Sequence, residues 1–167
     1  MDVVIFQIDS RKRCCVAMSS VEEVISLGPV TPVPSAPPAV IGAVNVRGQI
    51  CPVLRLEALL REVYPRPTLQ EPNASRPLGP LDPLRQGQPC LLVQAGGCQA
   101  VLCVRRIEEV ARIRDSLLSS GGGDMLVGAV FDTADGPLHL VDVEQVMRRV
   151  TRQVQELATQ LGAGPSI

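Results

Sequence analysis

Few side chains in this sequence are suited to reaction chemistry. The chain of 167 residues has one histidine, His139, set between Leu138 and Leu140 in an apolar run. Strand alternation would turn it away from both neighbours, and no nucleophile is adjacent to it in sequence. With one histidine, multi-His metal sites and His-rich acid/base chemistry are nearly excluded. The six cysteines, Cys14, Cys15, Cys51, Cys90, Cys98 and Cys103, include no Cys-x-x-Cys pair, so neither a zinc ribbon nor a thioredoxin-like motif is supported. Most lie in apolar runs and read as small buried hydrophobes. The run Gly121-Gly122-Gly123 lacks the Lys-Ser/Thr that completes a phosphate loop, and reads as a surface loop. The acidic pairs Glu22-Glu23 and Glu108-Glu109 fall in segments read here as helix-like, where neighbouring side chains diverge by about 100°. Neither pair then makes a joint carboxylate site. These residues predict no catalytic group, no metal site and no cofactor.

Composition narrows the classes further. Hydrophobic residues make up 46% and charged residues 20%, as in a folded domain rather than a disordered chain. Aromatic residues are only 2%, with no Trp, which leaves no ring platform on which bases could stack. The net charge is -1, without the basic excess that binds phosphate polymers. Lys12 is the only lysine among 16 basic residues, a bias that reads as composition rather than chemistry. The first residues, Met1 to Phe6, show no signal-peptide pattern, and no window approaches the roughly 18 apolar residues of a membrane span. A cytoplasmic location is expected.

Short strands with tight turns dominate the pattern. Val3 to Asp9 and Cys14 to Met18 read as strands around a polar turn at Ser10 to Lys12. Ser19-Ser20-Val21-Glu22 reads as a helix start, with Val21, Val24 and Ile25 on one face and a stop at Gly28-Pro29 after about two turns. Pro29 to Pro38 holds five prolines and reads as an extended surface crossover. Val40 to Val46, a turn at Arg47-Gly48, and Gln49 to Leu54 read as a hairpin, followed by a short amphipathic helix from about Glu57 to Val63. Tyr64 to Pro89 holds seven prolines and reads as a long loop. Beyond it, Cys90 to Ala95 and Gln99 to Val104 form a hairpin around Gly96-Gly97. Arg105 to Ile113 has helical or mixed spacing. Met125 to Phe131 and Leu138 to Val141 form a last hairpin. Asp142 caps a C-terminal helix over 142–162 with Val143, Met147, Val150, Val154, Leu157 and Leu161 in a seam. That seam fits docking on its own domain or pairing with another chain.

The stretch from Pro34 to Leu56 carries the strongest signal. Pro34 is followed by Gly42-Ala43-Val44-Asn45-Val46-Arg47-Gly48 and then by Pro52-Val53-Leu54-Arg55-Leu56. This resembles the CheW family of chemosensory coupling proteins, whose pattern runs close to Pro, Gly-x-x-Asn-hydrophobic-Arg-Gly, then Pro-hydrophobic-hydrophobic-Asp-Leu. Val21-Glu22-Glu23-Val24-Ile25 is similar to the family's upstream Val-x-Glu-hydrophobic element. Val101 to Val110, Leu126-Val127-Gly128 and Leu138 to Asp142 are similar to its second half, so the resemblance covers about residues 2–150.

The resemblance implies a mainly β fold of two small five-stranded Src-homology-3-like β-barrels, with short helices and a C-terminal α-helix. The first barrel is expected over about 10–63 and the second over about 90–142, with the N-terminal strand a candidate for sharing. It implies a non-enzymatic adaptor, without cofactor, that couples a chemoreceptor cytoplasmic tip to the regulatory domain of a CheA-like histidine kinase in a bacterial array. It also implies a partner-binding set of Val21, Glu23, Val24, Gly42, Val44, Asn45, Val46, Arg47 and Gly48, with Glu23 and Arg47 as its polar pair. Two positions depart from the pattern. Arg55 and Arg105 stand where the family usually carries Asp, and each is a charge reversal. The alternative reading keeps the fold and turns these arginines toward another partner, such as a motility or polarity complex. An enzyme or ligand-binding protein using the groove or the thiols is the reading from another class.

Overall fold

The computed structural model describes residues 1–8, 12–63, 84–114, 118–119 and 126–162. The polar turn at Ser10-Arg11, most of the Pro-rich loop and the Gly121-Gly122-Gly123 run lie outside these residues.

Strands β1 (Asp2–Gln7) and β2 (Arg13–Ala17) pair antiparallel. A 3-10 turn at Met18–Ser20 leads into β3 (Val21–Ser26). The helix expected from Ser19 is therefore a strand. Burial alternates along it, with Val21, Glu23 and Ile25 turned inward and Glu22, Val24 and Ser26 outward. The β-branched Val21, Val24 and Ile25 suit a pleated surface, and pairing with β6 outweighs the Ser-Glu capping signal. Strands β4 (Val40–Val46) and β5 (Gln49–Arg55) form the expected hairpin, and helix α1 (Leu56–Val63) follows. Then come β6 (Pro89–Ala95), β7 (Cys98–Cys103), β8 (Arg106–Arg112) and the two-residue β9 (Leu118–Ser119). Strands β10 (Val127–Thr133) and β11 (Gly136–Val141) precede helix α2 (Val143–Gly162).

β8 resolves the mixed spacing of 105–113 as a strand on β1. The pairs Glu22-Glu23 and Glu108-Glu109 thus both lie in strands, not helices. Their members point to opposite faces, and the conclusion that neither pair acts jointly stands on different geometry.

Two sheets result. One runs β3-β6-β7-β5-β4, and the other β8-β1-β2-β11-β10 with β9 at its edge. The fold is mainly β with five principal strands in each sheet, as expected. The sheets do not divide the chain at the Pro-rich loop. Hairpin β6–β7 joins β3, β4 and β5, whereas β1 and β2 join the C-terminal strands. Each sheet contains one parallel pair, β5 with β7 and β11 with β2, and hydrophobic periodicity cannot foretell such long-range pairings.

Three apolar clusters explain the apolar runs. Val3, Ile5, Cys15, Phe131 and Leu138 fill the concave side of one sheet. Val44, Cys51, Val53, Cys90, Leu92 and Val101 fill the other. Between the sheets, Val4, Phe6, Val16, Leu54, Leu91 and Leu102 meet the inner faces of both helices. Strands β1, β2, β6 and β7 are therefore covered on both faces, which is why Val3 to Phe6 and Cys90 to Val93 are unbroken apolar runs rather than alternating ones. Asp142 caps α2, its Oδ1 accepting from the Gln145 amide at 3.1 Å. Val143, Val146 and Val150 bury the first half of α2. Farther along the seam, Val154 and Leu161 are exposed.

Candidate functional site: the groove between the edge strands

The sheet β3-β6-β7-β5-β4 has β3 and β4 at its two ends. Curvature brings these ends toward one another, and the gap between them is a groove of about 680 Å³. Its lining includes Glu23 and Ile25 from β3, and Val44, Val46 and Arg47 from β4 and its turn. Thr31 and Pro29 of the Pro-rich crossover complete a wall.

Two local devices shape this groove. The first is the turn at Arg47-Gly48. Arg47 has φ 51° and Gly48 φ 84°, the left-handed pair of a two-residue hairpin turn whose twist matches the flanking strands. The Asn45 side chain holds this turn, its Oδ1 accepting from the Gly48 amide at 2.7 Å. Asn45 thus has a structural task within the expected partner-binding set. The turn aims Arg47 across the gap, where its guanidinium pairs with the Glu23 carboxylate. Glu23 and Arg47 lie 24 positions apart in sequence, yet they bridge the two edge strands.

The second device is Gly42. It is buried, and β4 there lies against the crossover. Thr31 and Ala43 exchange two backbone hydrogen bonds, both 2.9 Å. A Cβ on Gly42 would sit well inside 3.0 Å of the Thr31 carbonyl oxygen and 2.7 Å from Val30 Cγ1. Glycine is required by close approach, not by an unusual φ.

The remaining expected residues divide by face. Val44 is buried in the concave cluster and Val46 packs against it. Val21 packs on the intersheet core. Val24 is 55% exposed on the opposite face of β3 and is absent from the groove lining. Ile25 and Ile50 line the groove although neither belongs to the expected partner-binding set. Ile25 was legible in principle, since it is two residues from Glu23 on one strand face. Ile50, 68% exposed beside the turn, carries no pattern that distinguishes it from an ordinary strand residue.

Arg55 and Arg105 lie outside this groove. They line a second cleft, of about 500 Å³, together with Arg85, Glu57, Cys103 and Val104. Cys103 faces Cys90 across β6–β7, with sulfurs 3.5 Å apart. The Cys90 hydrogen bond draws the Cys103 thiol below its ordinary range against the effect of burial, with Arg55 assisting. His139 sits half-buried opposite Val130. Burial, then the nearby Lys12 charge, holds its pKa below the usual value. Among the described residues, no group of three or more His, Cys, Asp or Glu is placed to hold a metal ion.

With this geometry in view, comparison with known proteins is decisive for the family. The model of the CheW-like domain matches residues 2–151. The chain belongs to the CheW-like domain family. Among solved structures, it is similar to the scaffolding protein TtCheW from Thermoanaerobacter tengcongensis. The TM-score is 0.64 at 18% identity, over 86% of this chain and 89% of that one. The paired sheets are accordingly the two Src-homology-3-like barrels of the CheW fold. No curated protein sequence matches the chain at a significant level.

Proposed function

We propose that this CheW-like protein is a non-enzymatic scaffold that couples a chemoreceptor tip to a CheA-type histidine kinase, with the β3–β4 groove as its receptor-facing surface. The observation that carries the reading is the family match across nearly the whole chain. The groove adds a physical rationale. It offers an apolar floor of Val44, Val46 and Ile25 with an ion pair at its rim, and a helical tip with one apolar stripe and flanking charges complements such a surface. Gly42 and Gly48 shape the wall and turn rather than touch the partner, while Asn45 both holds the turn and lines the groove. Val21 supports β3 from beneath, and Val24 offers a contact on the outer face of the same strand.

The mechanism is positional. A scaffold that binds receptor and kinase together lets receptor state bias kinase state through geometry, without chemistry of its own. A cytoplasmic location with recruitment to receptor arrays follows from this role. Among the described residues, no helix is long and apolar enough to cross a membrane. The test is a pull-down of the full chain with cognate receptor tips and, separately, with the kinase regulatory domain. Binding to both is expected, and Arg47→Glu should selectively weaken the receptor arm. Binding to neither would refute the coupling.

A second reading has a specific observation in its favour. Arg55 and Arg105, the two reversals of family aspartates, line one cleft with Arg85. Kinase or receptor engagement through that surface would then differ from the family pattern, and the chain would serve another partner, such as a motility complex. Restoring both aspartates should restore kinase binding if the reversals are the cause. Unchanged binding would exclude it.

A further inference from the structure

The second cleft concentrates positive charge in a chain whose net charge is -1. Arg55, Arg85 and Arg105 come from three separate segments, and Glu57 is the one carboxylate among the described lining residues. Arg55 ends β5, directly beside Cys103 in the parallel register of β5 and β7. Arg105 follows β7, its amide donating to the Gln7 carbonyl at 2.8 Å. Arg85 sits on the turn that precedes β6.

That turn is braced, which fixes the backbone that carries Arg85 at the cleft. The Gln88 side chain donates to the Val104 carbonyl at 2.8 Å and accepts from the Arg85 amide at 3.3 Å. The Gly87 amide donates to the Leu27 carbonyl at 2.8 Å, with Gly87 at φ 81°. The three guanidinium-bearing backbones thus belong to one framework at the junction of the two sheets.

The chemistry of the walls narrows the ligand. Guanidinium groups match carboxylate and phosphate oxygens in bidentate geometry. Among the described residues no aromatic side chain lines the cleft, so none offers a nucleotide base a ring to stack on. A single inorganic phosphate would leave most of a space of about 500 Å³ unfilled, along with the apolar surface of Leu84 and Pro89. A short peptide with carboxylates at intervals among apolar residues uses both features.

We propose that the Arg55–Arg85–Arg105 cleft is a docking site for an acidic, partly apolar segment of a protein partner. The site is distinct from the β3–β4 groove and stands or falls independently of receptor binding there. A fluorescein-labelled peptide of Glu-Glu-Leu repeats should bind the full chain, followed by anisotropy at low salt, and should weaken steeply as salt rises. A matching Lys-Lys-Leu peptide should not bind. Arg55→Asp with Arg105→Asp should weaken the Glu-Glu-Leu peptide by at least about tenfold. Arg85→Glu, in an exposed turn that tolerates it, should weaken it several-fold with the thermal midpoint unchanged, so the test survives if the double variant fails to fold. Arg47→Glu, on the other groove, should leave the affinity as it is. Failure of the unmodified chain to bind the peptide would overturn the proposal. So would equal affinity in the Arg85→Glu variant, or displacement of the peptide by inorganic pyrophosphate at equal or lower concentration.

Discussion

Replacing Gly42 with alanine tests the architecture of the groove with a single methyl group. In most strands this change helps, because Gly loses more backbone freedom on folding, and alanine is worth about 0.5–1 kcal/mol. At Gly42 the added Cβ would collide with the Thr31 carbonyl oxygen and with Val30 Cγ1. Val30 has a side chain that can rotate, but Thr31 presents backbone, so β4 and the crossover must separate. Separation breaks the reciprocal Thr31–Ala43 hydrogen bonds. At about 1 kcal/mol each, these two bonds outweigh the entropic gain. The expected net loss is roughly 1–2 kcal/mol, a fall in thermal midpoint of roughly 3–6 °C for a chain of this size. Gly128→Ala in β10 is the matched control, since nothing lies within 4 Å of a Cβ there. It should be neutral or slightly stabilising. Urea denaturation of both variants beside the parent measures the difference, and receptor-tip binding reports whether the displaced wall matters. Gly42→Ala as stable as Gly128→Ala would refute the close-approach argument.

Three further outcomes follow from the same geometry. Arg47→Asn should leave stability unchanged or raise it by up to about 1 kcal/mol, because Asn-Gly suits the left-handed turn and the exposed ion pair is worth about 0–1 kcal/mol; a loss above that in urea denaturation would show the pair to be structural. Burial pushes the Glu108 carboxyl up, but hydrogen bonds from Gln7 and Arg13 and the charges of Arg13 and Arg106 outweigh it and leave the pKa below the ordinary 4.5. The folded value is depressed, so this stabilisation is present above pH 4.5 and is lost as pH falls through the folded pKa; Glu108→Gln should lower the urea midpoint at neutral pH and converge with the parent in acid, and parallel curves would contradict it. Iodoacetamide should modify one thiol quickly in the native chain, because Cys98 is exposed and the other five are buried, with burial pushing Cys15 up to about 12; mass spectrometry finding Cys15 alkylated as fast as Cys98 would count against the packing.

What was legible in the sequence depended on how local the cause is. The hairpin at Arg47-Gly48 and the cap at Asp142 are set within four residues, and both were readable from residue type. The strand β3 was not, because Ser19-Ser20-Val21-Glu22 satisfies a helix-start pattern locally, while the partner that makes it a strand lies on β6, some 70 residues away. β8 was obscured in the same way by its pairing with β1. The sheet membership of β1–β2 and β6–β7 rests on parallel pairings to β11 and β5, which leave no trace in periodicity. Within the site, family pattern pointed to Glu23 and Arg47, but it did not separate residues that shape the groove, such as Gly42 and Gly48, from those that line it. Ile50 was missed because its exposure is a consequence of tertiary placement alone.

The energetics of Arg47 bear on what the groove is for. A non-glycine residue in the left-handed region costs about 1–2 kcal/mol relative to ordinary backbone. Its compensation within the fold is an ion pair to Glu23 in which the arginine side chain is 72% exposed, and such pairs contribute at most about 1 kcal/mol. Stability therefore does not explain why arginine, rather than asparagine or glycine, occupies this turn. The residue is placed where a guanidinium reaches both a groove rim and solvent, beside Ile50, which leaves much of its own apolar surface in water. An exposed apolar side chain next to an ion pair that contributes little to folding is the arrangement expected of a surface completed by a partner. Under the proposed docking, the same charge pair would be dehydrated and would exert a specificity that it lacks in the free protein.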